Sequence, residues 1–70
     1  MVEPREAALE ILREEAAPLH WTKVQDLALR RGYIDPFTQP DVRKAVLGAL
    51  ASLTRDGAIR RVGKGVYEVA

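Results

Sequence analysis

Hydrophobic and polar positions alternate along this chain with two periods, one helical and one extended. Between residues 4 and 16, Ala8, Leu9, Ile11, Leu12 and Ala16 fall on one side of a helix, while Glu6, Glu10 and Glu14 stack at i+4 spacing on the other. Pro4 suits the first helical position and Pro18 stops the pattern, so a first helix is predicted from about Pro4 to Ala16. Leu19-His20-Trp21, held extended by the proline, reads as a minimal strand. A second helix follows, with Val24, Leu27, Ala28 and Arg31 toward the core, Gly32 as its left-handed stop and Tyr33 folding back. Its start has two solutions. Thr22 and Gln25 form a capping box, or His20 caps earlier with Leu19 stapled to Val24.

The stretch Thr38 to Gly57 reads as one long third helix. Thr38 with Asp41 supplies a capping box, Phe37 and Val42 a staple, Pro40 the first turn and Asp56-Gly57 the stop. Val42, Val46, Ala49, Leu50 and Leu53 form its core stripe, which leaves Lys44, Leu47, Gly48, Ala51 and Arg55 outside and Arg43 at the edge. Two β-type segments, Ala58 to Val62 and Val66 to Val69, are joined by the three-residue turn Gly63-Lys64-Gly65. In the second of them Tyr67 and Val69 point inward and Glu68 outward. The Tyr33 to Phe37 connection is longer than the simplest helix-turn-helix turn, so the hairpin carries that assignment. Helix, short strand, helix, helix, hairpin is the order of an α+β winged helix, in which the short strand completes a three-stranded sheet that a hairpin alone needs for stability.

Seventy residues make one domain, spanning 1–70, too small to enclose a deep substrate pocket. The chain has no cysteine, which removes disulfides and thiolate metal sites and fits a reducing cytosol. No unbroken apolar run exceeds three residues, so neither a membrane span nor a signal peptide is expected. Net charge is only +1, but it is graded along the chain. Residues 1–18 sum to −3, residues 19–37 to +1 and residues 38–70 to +3. Since charge acts over a Debye length of about 8 Å, the third helix and the hairpin form a basic pole.

Several segments resemble the HARE-type helix-turn-helix domains, winged-helix modules similar to the folded part of the RNA polymerase delta subunit. These are A-A-L-E-I-L at 7–12, P-L-H-W at 18–21, L-A-L-R-R-G-Y-I at 27–34, the Q-P before the third helix and R-V-G-K-G-V-Y at 61–67. The resemblance covers nearly the whole chain. It implies a role in DNA binding or transcription regulation, with some members of the family acting through protein contacts.

Catalytic constellations are not found. His20 is the single histidine and Ser52 the single serine, so a Ser-His-Asp triad has little to draw on. Glu14 and Glu15 are adjacent and project in different directions, and Gly63-Lys64-Gly65 precedes a strand and lacks P-loop spacing. No enzyme activity, cofactor or metal is expected. Two readings follow. In the first, double-stranded DNA takes the third helix in its major groove and the wing on its phosphates, through Arg43, Lys44, Leu47, Gly48, Ala51, Arg55, Arg60, Arg61 and Lys64. Four to six phosphate contacts and low sequence selectivity are expected, since few of these side chains suit base readout. In the second, Leu47, Gly48 and Ala51, or the acidic ridge of the first helix, dock a protein such as a transcription complex or an attached enzyme domain. A cytoplasmic chain is expected, nucleoid-associated if it binds DNA.

Overall fold

Apolar side chains of three helices and one strand meet in a single core. The computed structural model describes residues 3–70. In chain order these form α1 (Pro4–Glu15), β1 (Leu19–His20), α2 (Trp21–Arg30), α3 (Val42–Arg55), β2 (Ile59–Gly63) and β3 (Val66–Val69). This is a small α+β architecture of three helices and a three-stranded antiparallel sheet. Ile11 and Leu12 of α1, Val24 of α2, Val46, Leu50 and Leu53 of α3 and Ile59 of β2 are its largest fully buried side chains. The sheet does not follow sequence order, because β3 lies between β1 and β2. Leu19 pairs with Tyr67 and His20 with Val66, while Arg60 faces Glu68 across the hairpin.

Local chemistry explains most boundaries. Ala16 ends α1 in the left-handed region at φ 52° and is exposed, not part of the apolar side, whereas Ala7, at the other end of the helix, is buried. Of the two possible starts for α2, His20 is the cap, its Nδ1 accepting the Thr22 N–H at 3.3 Å. The Thr22–Gln25 box does not form, and Gln25 Oε1 has no partner among the described residues. Gly32 (φ 73°) and Gly57 (φ 80°) close α2 and α3 with paired Schellman bonds, Tyr33 N–H to Ala28 C=O and Ala58 N–H to Leu53 C=O.

The start of α3 departs from expectation. The helix runs from Val42 with Asp41 as its cap, three residues later than a Thr38 cap would place it. Asp35 is the reason. Its carboxylate takes the Phe37 N–H, and its carbonyl takes the N–H groups of Thr38 and Gln39, which winds 35–39 into a separate turn. Pro40 therefore precedes the helix, and Phe37, 95 % exposed, staples nothing. Two further expectations fail. The hairpin turn is Lys64-Gly65, with Gly63 retained in β2 after a bulge at Arg61/Gly63, and Val69, at the sheet end, is 37 % exposed instead of covered by the core.

Polar clasps fix the helices outside the core. Arg5 of α1 bonds Ser52 Oγ at 2.6 Å and pairs with Asp56 at 2.6 Å, tying α1 to the end of α3. Arg31 is on the surface and not on the buried side of α2. It grips Glu14 and Glu15 together, at 2.7 Å each, and the Tyr33 hydroxyl donates to Glu14 at 2.6 Å. The two adjacent carboxylates thus converge on one guanidinium. The Tyr33 hydrogen bond, followed by Arg31, holds the Glu14 carboxyl below its ordinary range, and the same bond raises the Tyr33 phenol.

Two outcomes are expected. A group whose pKa falls on folding adds stability that is present above its unfolded pKa and lost as pH drops through the folded one; Glu14 is such a group. Tyr33 is the reverse case, adding stability below its unfolded pKa that disappears as pH rises through the folded one. Tyr33→Phe should therefore move Glu14 upward toward the ordinary carboxylate value in an NMR titration, and an unmoved Glu14 would contradict the clasp. Gly48 lies inside α3, and a Cβ there would meet nothing within 4 Å. Gly48→Ala should stabilise the fold by about 1 kcal/mol in urea unfolding, the helix-propensity difference with no clash to offset it.

Candidate nucleic-acid interface

Burial leaves one face of α3 to solvent, and its side chains there follow from the 3.6-residue period. Lys44, Gly48, Ala51 and Arg55 lie on that face and are exposed, and Arg43 is exposed along one edge. Leu47 is half-buried, not fully outside as its position suggested. A shallow groove of about 510 Å³ is lined by Asp41, Arg43, Lys44, Leu47 and Gly48. It joins four of the expected site residues to Asp41, which was expected only as a capping partner. Ala51 and Arg55 continue the same face beyond the groove, toward the C-terminal end of α3.

The hairpin reaches this region through Trp21. The Trp21 N–H donates to the Gly65 carbonyl at 2.8 Å, and the Arg43 guanidinium lies over the indole, 5.4 Å from its centroid. The position at 65 has φ 71°, and a Cβ there would come within 2.9 Å of His20 Nε2 and 3.0 Å of Trp21 Cδ1. Only glycine meets both conditions, the left-handed backbone and the close approach. The Lys64-Gly65 turn and Arg43 therefore meet at one tryptophan although 21 residues separate them in sequence. Positions 21, 43 and 65 lie in α2, in α3 and in the hairpin turn, each pair 22 or more residues apart, so the sequence contains no local signal for this junction.

Ion pairing divides the cations into two sets. Arg5, Arg13, Arg30, Arg31 and Arg60 each pair with a carboxylate. Lys23, Arg43, Lys44, Arg55, Arg61 and Lys64 form no ion pair among the described residues. Five of these six belong to the expected site, and Lys23, in the first turn of α2, was missed by the sequence reading. Arg60 is the exception in the other direction. Its Nε and Nη2 both bond Glu68 on the neighbouring strand, at 3.0 and 2.8 Å, which neutralises it. Arg61 donates through Nε to the Gly63 carbonyl at 3.1 Å, a contact that orients the guanidinium without cancelling its charge.

An exposed cation stacked on an indole contributes about 0.5–1 kcal/mol, enough to bias the position of Arg43 but not to remove it from use. Arg43→Ala should shift the indole N–H resonance and the emission of Trp21, while Arg55→Ala, on a separate part of the helix, should leave both unchanged. Equal responses to the two substitutions would rule out the stack in solution. Comparison with protein-family models, with curated proteins and with solved structures finds no match to this chain.

Proposed function

We propose that the chain is a winged-helix module of the HARE type that binds double-stranded DNA, with α3 in the major groove and the β2–β3 hairpin as a wing on the phosphate backbone. The element order and the pairing of β1 against β3 support this arrangement. One observation carries the DNA reading: the cations without carboxylate partners among the described residues belong to α3, the hairpin and the start of α2, whereas every arginine of α1 and of the end of α2 is paired. Duplex DNA supplies the missing anions at a density of one per about 1.7 Å of helix axis. The small side chains at Gly48 and Ala51 allow the helix backbone to come close.

Recognition in this reading is mainly electrostatic and weakly selective, and it suits a non-enzymatic module of the transcription or DNA-processing machinery. About five phosphate contacts would give a slope near −4 to −5 in log affinity against log salt. Lys64→Ala should reduce that slope by about 0.9, and Arg60→Ala should change it little because Glu68 already neutralises that guanidinium. Titration of a mixed-sequence duplex across a salt series measures both. Absence of binding at low salt overturns the proposal.

Gly48 also supports a second reading, a protein-docking face built on Leu47, Gly48 and Ala51. Glycine in mid-helix costs about 1 kcal/mol relative to alanine, and no neighbour inside the fold requires it. The other protein-docking candidate, the acidic ridge of α1, is weakened because Glu14 is engaged by Arg31 and Tyr33. Leu47→Glu separates the readings. Loss of self-association or of partner capture, with salt-dependent DNA binding intact, would favour the protein-docking face.

A further inference from the structure

The groove at the start of α3 contains a carboxylate that electrostatic attraction to phosphate does not explain. Asp41 Oδ1 accepts the Lys44 N–H at 3.0 Å, which fixes the side chain as a cap. Its other oxygen has no hydrogen bond among the described residues, and Asp41 forms no ion pair although Arg43 and Lys44 line the same groove. A carboxylate in that position repels the DNA backbone. Toward base edges it has the opposite effect, because the cytosine amino group in the major groove is a donor and a carboxylate is its complement. Lys44, exposed and unpaired, supplies the donors that guanine O6 and N7 accept. Leu47 lies nearly one helical turn further on, and the open space at Gly48 removes the side chain that would hold the duplex away.

We propose that Asp41 and Lys44 form a base-reading pair at the N-terminal end of α3, Asp41 accepting from the N4 amino group of cytosine and Lys44 donating to guanine, so that the chain favours C·G pairs over A·T pairs. This inference rests on the DNA-binding reading above and deepens it. Arg43 is not part of the pair, since its guanidinium is stacked on Trp21. The selectivity is modest. One or two such contacts give a preference of about tenfold, far below the 10³ or more of a dedicated sequence reader.

The test is a competition between two labelled duplexes of equal length, one with C·G pairs at its centre between A·T flanks and the other with A·T pairs throughout, at a salt concentration where backbone binding is partly screened. The wild-type chain is expected to prefer the first by about tenfold. Asp41→Asn keeps the helix cap, because asparagine caps as well as aspartate, but it presents both a donor and an acceptor, the complement of adenine N6 and N7. Its preference should move toward the A·T duplex, with the fold unchanged by circular dichroism. Lys44→Ala should lower affinity for the C·G duplex more than for the A·T duplex. Equal binding of the two duplexes by the wild-type chain, or a preference that Asp41→Asn leaves intact, overturns the base-reading pair while leaving DNA binding standing. Failure to bind either duplex at low salt overturns the reading beneath it as well.

Discussion

The Trp21 N–H to Gly65 C=O hydrogen bond is the point on which the architecture turns. A two-stranded hairpin is marginal in water, and β1 adds only two residues to it. What secures the hairpin is its tip, seated against His20 and Trp21 so closely that a single added methyl group at position 65 would collide with both rings. The same tryptophan follows the cap of α2 and lies beneath Arg43 of α3. Trp21 thus touches both the hairpin tip and a side chain of the third helix, while the shared core of Val24, Ala28, Val46, Leu50 and Leu53 holds α2 and α3 together.

Around this junction the fold sorts charge. Arginines that face carboxylates from other elements are converted into clasps: Arg5 across α1 and α3, Arg31 across α2 and α1, Arg60 across the hairpin. Exposed pairs of this kind contribute little individually, and in so small a domain their role is chiefly to fix the orientation of elements that a limited core leaves adjustable. The cations left over are those that meet no carboxylate among the described residues. A net charge near zero thus coexists with unneutralised cations, because pairing leaves Lys23, Arg43, Lys44, Arg55, Arg61 and Lys64 without a carboxylate partner among the described residues. The proposed function follows from that residue of charge and from the open space at Gly48, not from any catalytic constellation.

The elements themselves were legible in the chain. The apolar stripe of α3, the glycine stops at Gly32 and Gly57 and the order of helices and strands depend on local spacing and backbone preference, which the sequence displays directly. The failures cluster where two local solutions compete. Thr38 and Asp41 both look like caps, and a turn nucleated by Asp35, six residues before Asp41, selects the second. Thr22 and His20 both fit the start of α2, and pairing of β1 with β3 favours the one that keeps His20 extended. Val69 alternates correctly with Tyr67 but lies at the sheet end, where little covers it.

For the site, the sequence by itself determined that Lys44, Gly48, Ala51 and Arg55 face outward from α3, though not that Leu47 is half-buried, and that the second half of the chain is basic, because helical period and composition need no knowledge of the rest of the molecule. Only the tertiary structure decided which of those charges remain unpaired. Glu68 and Arg60 are eight residues apart and meet across a turn; Trp21, Arg43 and Gly65 span most of the chain and meet in one place. Asp41 became a groove residue only when the helix began there. Pairing and proximity are three-dimensional properties, set by how elements pack, and a one-dimensional pattern carries them only when the partners share an element.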